Sequence, residues 1–217
     1  MMKTILINGS PRKNWNTHQL LLKAQEGAIE KGAETRLYNL YDIEFKDCRE
    51  CFACKMVGNK TNGVCAFNDD LKVVLEDIAS ADALIIGSPV YYENLTGETI
   101  SFLNRLLFPA MHYQNDGFSI PKHKKCALIL TMNIPEIMLG IKGYRTFFDN
   151  IAQRIGRLIG PCETFYCCDT LQFTDYSKYY AGKYDEEHKR NHHKMNFPKD
   201  IQAVRDIGKR LSESQSL

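Results

Sequence analysis

The chain has 217 residues, with 28 Lys plus Arg against 26 Asp plus Glu, 44% hydrophobic and 11% aromatic residues. That is the size of one α/β domain with a sizeable core, and its near-zero charge excludes a disordered chain and a basic nucleic-acid-binding field. Eight cysteines are more than average usage supplies, and four of them fall between positions 48 and 65.

In chain order, short apolar runs alternate with amphipathic stretches, the pattern of a parallel sheet covered on both faces. Strands are expected at 3–8, 34–40, 83–87, 125–132 and 163–168. Helices are expected between them at 16–31, 69–80, 97–108 and 142–159, with a last one at 199–212. Leu20, Leu21, Ala24 and Ala28 make one helical stripe, and Phe147, Phe148, Ile151, Ile155 and Leu158 another, both read as core. The whole chain is expected to be one domain, with a cysteine-rich loop at 43–68 and a C-terminal loop or flap at 169–198. The apolar run before Asn8 is too short for a signal peptide, and no stretch reaches membrane-spanning length. The expected setting is therefore cytoplasmic, away from a membrane, where thiols stay reduced.

The loop after the first strand runs Gly9, Ser10, Pro11, Arg12, Lys13, Asn14, Trp15, Asn16, Thr17. A strand-to-helix turn offers free backbone N–H groups and the positive end of a helix dipole to an anion. Ser10, Arg12, Asn16 and Thr17 add side-chain donors suited to a phosphate monoester. Neither the spacing of a dinucleotide fingerprint nor that of a P-loop is present. The plainer alternative is that Asn16 or Thr17 is an ordinary N-cap. A second loop, Ser88-Pro89-Val90-Tyr91-Tyr92-Glu93-Asn94-Leu95-Thr96-Gly97, follows the third strand and opens on the same crevice of such a sheet. Its proline and tyrosines offer flat apolar surface to a ring, so the two loops together favour a ring-plus-phosphate ligand.

The motifs I-N-G-S-P-R-K-N-W-N-T and S-P-V-Y-Y-E-N-L-T-G, the latter followed by S-F-L-N-R, resemble the NADPH-dependent FMN reductase family, and within it the iron-sulfur flavoproteins. The resemblance implies a flavodoxin-like, doubly wound, five-stranded parallel sheet in the order 2-1-3-4-5. It implies that Ser10, Arg12, Asn16 and Thr17 hold an FMN phosphate, that Pro89, Val90, Tyr91, Tyr92 and Asn94 line the isoalloxazine, and that the loop from Thr131 to Asn133 closes the third side. Family members usually carry a small residue in place of Trp15, whose bulk either shields or crowds the phosphate.

Cys48, Cys51 and Cys54 form C-x2-C-x2-C, and Cys65 follows a ten-residue gap. Such spacing can wrap a four-iron (4Fe-4S) cluster or hold zinc, and it also suits reduced thiols or a redox-active pair. Cys126, Cys162, Cys167 and Cys168 lie on or beside strands and are read as packing. His188 and His192 have helical metal-ligand spacing, but their basic neighbours read as a solvated face. The tyrosines from Tyr176 to Tyr184 are expected to form a flap over the flavin or a subunit contact.

The expected function is an FMN-dependent oxidoreductase that passes electrons from NAD(P)H to a quinone, a flavin or another small molecule. The cofactor carries the chemistry, so no side chain is expected as nucleophile or general base. The alternatives are an iron-sulfur flavoprotein relaying single electrons between redox-protein partners, and a redox-sensing module. The resemblance also implies a homodimer or homotetramer.

Overall fold

A computed structural model describes residues 1–61, 63–113 and 124–214; one position of the cysteine-rich loop, residue 62, lies outside them. Five parallel strands, β1 (Lys3–Asn8), β2 (Glu34–Asn39), β3 (Ala83–Tyr91), β5 (Lys125–Thr131) and β6 (Cys162–Cys167), stand in the order β2-β1-β3-β5-β6. The two-residue β4 (Asn94–Leu95) pairs antiparallel with the end of β3 and lies off this path. Counting only the parallel strands, this is the expected 2-1-3-4-5 sheet.

The side-chain period of two sorts each strand between two cores. Ile5, Ile7, Leu84, Ile86, Cys126, Leu128 and Leu130 face one way, toward α2 (Leu71–Ser80), α3 (Gly97–Leu107) and α5 (Tyr144–Leu158). Leu6, Ala83, Ile85, Ala127 and Ile129 face α1 (Asn16–Glu30) and α6 (Glu186–Leu211) on the other side. A one-turn helix, α4 (Met138–Ile141), leads into α5. In α5, Phe148, Ala152, Ile155 and Leu158 are buried as its stripe requires, while Phe147 is exposed. Helices α1 and α6 touch backbone to backbone, and a Cβ at Gly208 would meet the Ala24 carbonyl at 1.9 Å.

Two expected loops are corrected. Segment 88–96 is a hairpin, since β3 runs on to Tyr91 and returns through β4. Of the expected 169–198 flap, the second part is helix, because α6 begins at Glu186 rather than at 199. Asp185 caps α6 by accepting from the His188 N–H at 3.0 Å, and Glu186 and Glu187 suit its first turn. Pro198 inside the helix and the polar run before it hide this helix from a pattern search, but Lys189 and Phe197 are buried against the body of the domain. Among the described residues no helix is long and apolar enough to cross a membrane.

Candidate functional site

The carboxyl ends of β1, β3, β5 and β6 open on one cleft of about 460 Å³, within the range of cofactor pockets. Ser10, Arg12, Asn16, Thr17, Pro89, Val90, Tyr91, Tyr92 and Thr131 line it, so the structure gathers the candidates from three loops into one place. Asn94 does not join them: it sits in β4, exposed, and its Oδ1 accepts from the Leu95 N–H at 2.8 Å. Its side chain is thus engaged with the backbone of its own strand, just past the turn.

The first loop is shaped from within. Asn8, at the end of β1, accepts from the Ser10 N–H at 3.1 Å, and Ser10 Oγ accepts from the Arg12 N–H at 3.1 Å. Trp15 is the N-cap residue of α1, in extended conformation and without a side-chain cap bond. The ordinary-cap alternative for Asn16 and Thr17 therefore does not describe this loop: both lie inside the helix and are buried, and its first-turn N–H groups remain uncapped by side chains. Thr17 and Thr131 share a hydrogen bond of 2.7 Å between their hydroxyls, and Asn16 Nδ2 donates to the Leu171 carbonyl at 2.8 Å. Trp15 also lines the cleft, and the Arg12 guanidinium lies 3.8 Å over its ring. The same guanidinium donates to the Gln172 carbonyl at 2.7 Å.

In the second loop Tyr92 and Glu93 both have left-handed backbone, with φ of 46° and 67°, the conformation of a two-residue hairpin turn. The turn leaves Tyr92 fully exposed and Tyr91 half-exposed at the mouth of the cleft. Thr96 joins this hairpin to the first loop: its hydroxyl donates to the Gly9 carbonyl at 2.8 Å, and its N–H donates to Ser88 Oγ at 3.2 Å. Gly9 is required by that closeness, since a Cβ there would lie 1.9 Å from Thr99 Oγ1.

The far wall is Thr170, Leu171, Gln172 and Tyr184; the sequence places this segment in a flap and offers Tyr184 as part of a flavin cover, but singles out none of the first three. No motif marks these residues; they arrive by the path of the chain after β6. The other tyrosines divide: Tyr176 is buried and its hydroxyl accepts from the Gln172 N–H at 3.1 Å, Tyr179 stacks on Phe173, and Tyr180 is exposed. Asp169, at the head of the wall, is buried and accepts from His188 Nε2 at 2.9 Å and from Lys189. Burial opposes its charge, yet these hydrogen bonds, with the nearby cationic charge, hold its carboxyl below the ordinary carboxylate range.

Cys48, Cys51, Cys54 and Cys65 all line one small pocket of about 20 Å³, with Phe52, Phe67, Asn104, Arg105 and Phe108. That volume holds about one water. Arg105, buried, donates through Nε to Cys65 Sγ at 3.0 Å and grips Asp69 with two bonds of 2.8 and 3.0 Å. All eight cysteines are free, and among the described residues no three Cys, His, Asp or Glu side chains are arranged to hold a metal ion. The structure thus brings the four loop thiols together around one tight pocket. The thiol of Cys54 is pushed up by burial. His188 faces Asp169, with Nε2 at 2.9 Å, and His192 Nδ1 lies 4.0 Å from the same carboxylate.

An uncapped helix start, buried hydroxyls and a guanidinium at one end of the cleft, with Pro89, Val90 and Tyr91 along its flank, fit a ring carrying a phosphate. The molecule is thus a flavodoxin-like α/β protein with one open cleft at the strand ends. Residues 2–132 match the family model for NADPH-dependent FMN reductase, and the chain belongs to that family.

It is 39% identical over 104 residues to an iron-sulfur flavoprotein of Archaeoglobus fulgidus, a match covering 48% of each chain. With the iron-sulfur flavoprotein of Methanosarcina thermophila it shares 32% over 104 residues, 48% of this chain and 52% of that one. The match thus spans about half the length of these curated relatives. The fold is similar to that of an NAD(P)H:quinone oxidoreductase from Methanothermobacter marburgensis, with a TM-score of 0.71, 15% identity and coverage of 97% and 98% of the two chains. An azoreductase from Bacillus anthracis gives a TM-score of 0.69 at 11% identity, covering 97% of this chain and all of that one.

Proposed function

We propose that this chain binds FMN in the cleft and passes electrons from NAD(P)H to a diffusible small-molecule acceptor, a quinone, a flavin or a compound of similar redox character. The observation that carries this is the convergence of three loops on one cleft with an anion site at one end and apolar flanks at the other. FMN, when bound, supplies the hydride and electron chemistry; the protein supplies position and charge.

Ser10, Thr17 and the uncapped N–H groups of α1 would take the phosphate oxygens, with Arg12 as the nearby positive charge. Pro89, Val90 and Tyr91 would flank the ring, and Thr131 would close the third side. No side chain is asked to act as nucleophile or base. The cleft is open at its mouth, where Tyr91 and Tyr92 are exposed, so both substrates can reach the ring from solvent. A cytoplasmic setting and a homodimer or homotetramer accord with the family resemblance.

The test is to purify the chain anaerobically, offer FMN, and record the visible spectrum, metal content and NAD(P)H oxidation with a quinone. Stoichiometric FMN with NAD(P)H-dependent acceptor reduction is the expected result. Absence of bound flavin after reconstitution overturns it. Iron and acid-labile sulfide in stoichiometry with the flavin would instead identify a single-electron carrier.

A further inference from the structure

The far wall of the cleft is held by a buried ion pair. Asp169 and Lys189 are 3% and 5% exposed, and the Lys189 ammonium donates both to Asp169 Oδ1 and to the Asn133 carbonyl. Lys189 therefore ties α6 to two cleft segments at once, the one after β5 and the one after β6. A buried ion pair is weak as a source of stability, since desolvation offsets most of its attraction. What it does provide is a fixed position.

The backbone shows what is being positioned. Asp169 has left-handed φ of 53°, uncommon for a residue other than glycine, and its N–H donates to the Ile134 carbonyl at 2.8 Å. The next N–H, of Thr170, donates to the Met132 carbonyl at 3.0 Å. Asn133 Nδ2 donates to Gln172 Oε1 at 2.6 Å and to the Tyr184 hydroxyl at 3.1 Å. Segment 170–172 is thereby set across the cleft from the first loop, and there its carbonyls receive the two side chains at the anion end, Asn16 at Leu171 and Arg12 at Gln172.

We propose that the Asp169–Lys189 pair is the positioning element of the phosphate end of the cleft, and that through segment 170–172 it sets the preference of this chain for a phosphorylated over an unphosphorylated flavin. The inference rests on the FMN reading above and adds to it a residue pair that does not itself line the cleft. Arg12 is on an exposed loop, and its long side chain loses rotamer freedom when held. The Gln172 carbonyl and the Trp15 ring hold it in advance, so that cost is met before the ligand arrives.

The experiment titrates the full-length chain, freed of flavin, with FMN and with riboflavin, following flavin fluorescence. Lys189→Met would strand a buried carboxylate, so it is made together with Asp169→Asn, which keeps a residue tolerant of left-handed backbone. Asp169→Asn alone and Lys189→Arg complete the set, with thermal melts of each flavin-free protein. In the double variant the FMN dissociation constant should rise about tenfold or more, while that for riboflavin moves less than about threefold. Lys189→Arg should restore most of the preference. A double variant with the wild-type FMN-to-riboflavin ratio, or one that weakens both ligands equally, overturns the inference and leaves the FMN reading standing. A wild-type chain that binds neither flavin overturns both.

Discussion

The Thr17 and Thr131 hydroxyls lie 2.7 Å apart, joining the first turn of α1 to the end of β5 beneath the cleft. Both are buried, and each side chain belongs to a different loop of the candidate site. Thr131→Val keeps shape and removes this hydrogen bond, leaving the Thr17 hydroxyl without its partner. Stability should fall by about 1–2 kcal/mol. FMN affinity should fall with it, by about tenfold or one such increment. Urea denaturation and flavin titration check the two; a variant unchanged in both would show that the contact does not organise the site.

Gly9 presents a sharper case, because a Cβ there would lie 1.9 Å from Thr99 Oγ1 and 3.1 Å from the Gly87 carbonyl. Gly9→Ala should cost roughly 1–3 kcal/mol as an overpacked site and should abolish tight flavin binding. Gly97, where an added Cβ meets nothing within 4 Å, is the control. Gly97→Ala should be neutral or stabilising by up to about 1 kcal/mol. Equal effects at the two positions, measured by thermal melts, would contradict the close approach of the two loops.

Arg105 holds the cysteine loop against α3. Its side chain is 1% exposed, and it satisfies Asp69, Cys65 and the Lys46 carbonyl together. Arg105→Leu leaves the Asp69 carboxylate without its buried partner and should destabilise the chain by about 3–5 kcal/mol. Arg36, paired with Asp77 but half-exposed, serves as the contrast, and Arg36→Leu should cost no more than about 1 kcal/mol. Chemical denaturation of both variants decides whether burial, rather than charge pairing as such, sets the penalty.

The two groups of cysteines should differ in reactivity. Burial pushes the thiols of Cys126 and Cys168 up to about 12, and those of Cys162 and Cys167 are raised as well. A raised thiol is protonated below its own pKa, so at pH 8 the thiolate at Cys126 or Cys168 is on the order of one part in 10⁴. Iodoacetamide on the native chain at pH 8 should label exposed Cys51 first and leave these four unlabelled until the chain unfolds. Peptide mapping that finds Cys126 modified early would refute their assignment as packing.

Much of the sheet was legible because its evidence is local. Ile5, Leu6 and Ile7, or Leu84, Ile85 and Ile86, declare a strand buried on both faces without reference to the rest of the chain; β1, β3 and β5 are such runs, and with the half-buried edge strands β2 and β6 and the helical stripes between them they define the doubly wound sheet. That the Ser10–Thr17 loop and the proline-tyrosine loop open on one crevice is equally readable, since each is a contiguous stretch following its strand, and both line the cleft. Asn94 stands apart from the cleft lining, because residue type alone does not reveal that its side-chain carbonyl turns back to the Leu95 N–H.

The tertiary structure alone decided the rest, and the physical reason is that those contacts join residues distant in sequence. The start of α6 at Glu186 depends on burying Lys189 and Phe197, not on propensity. The Lys189 ammonium beside Asp169, the Gln172 carbonyl under Arg12, and the Arg105 guanidinium beside Cys65 each pair elements that no local period relates. The sequence by itself determined a flavodoxin-like sheet with a polar loop after its first strand and four clustered thiols. Folding determined that the thiols surround a tight pocket, and that a buried lysine anchors the wall facing that loop.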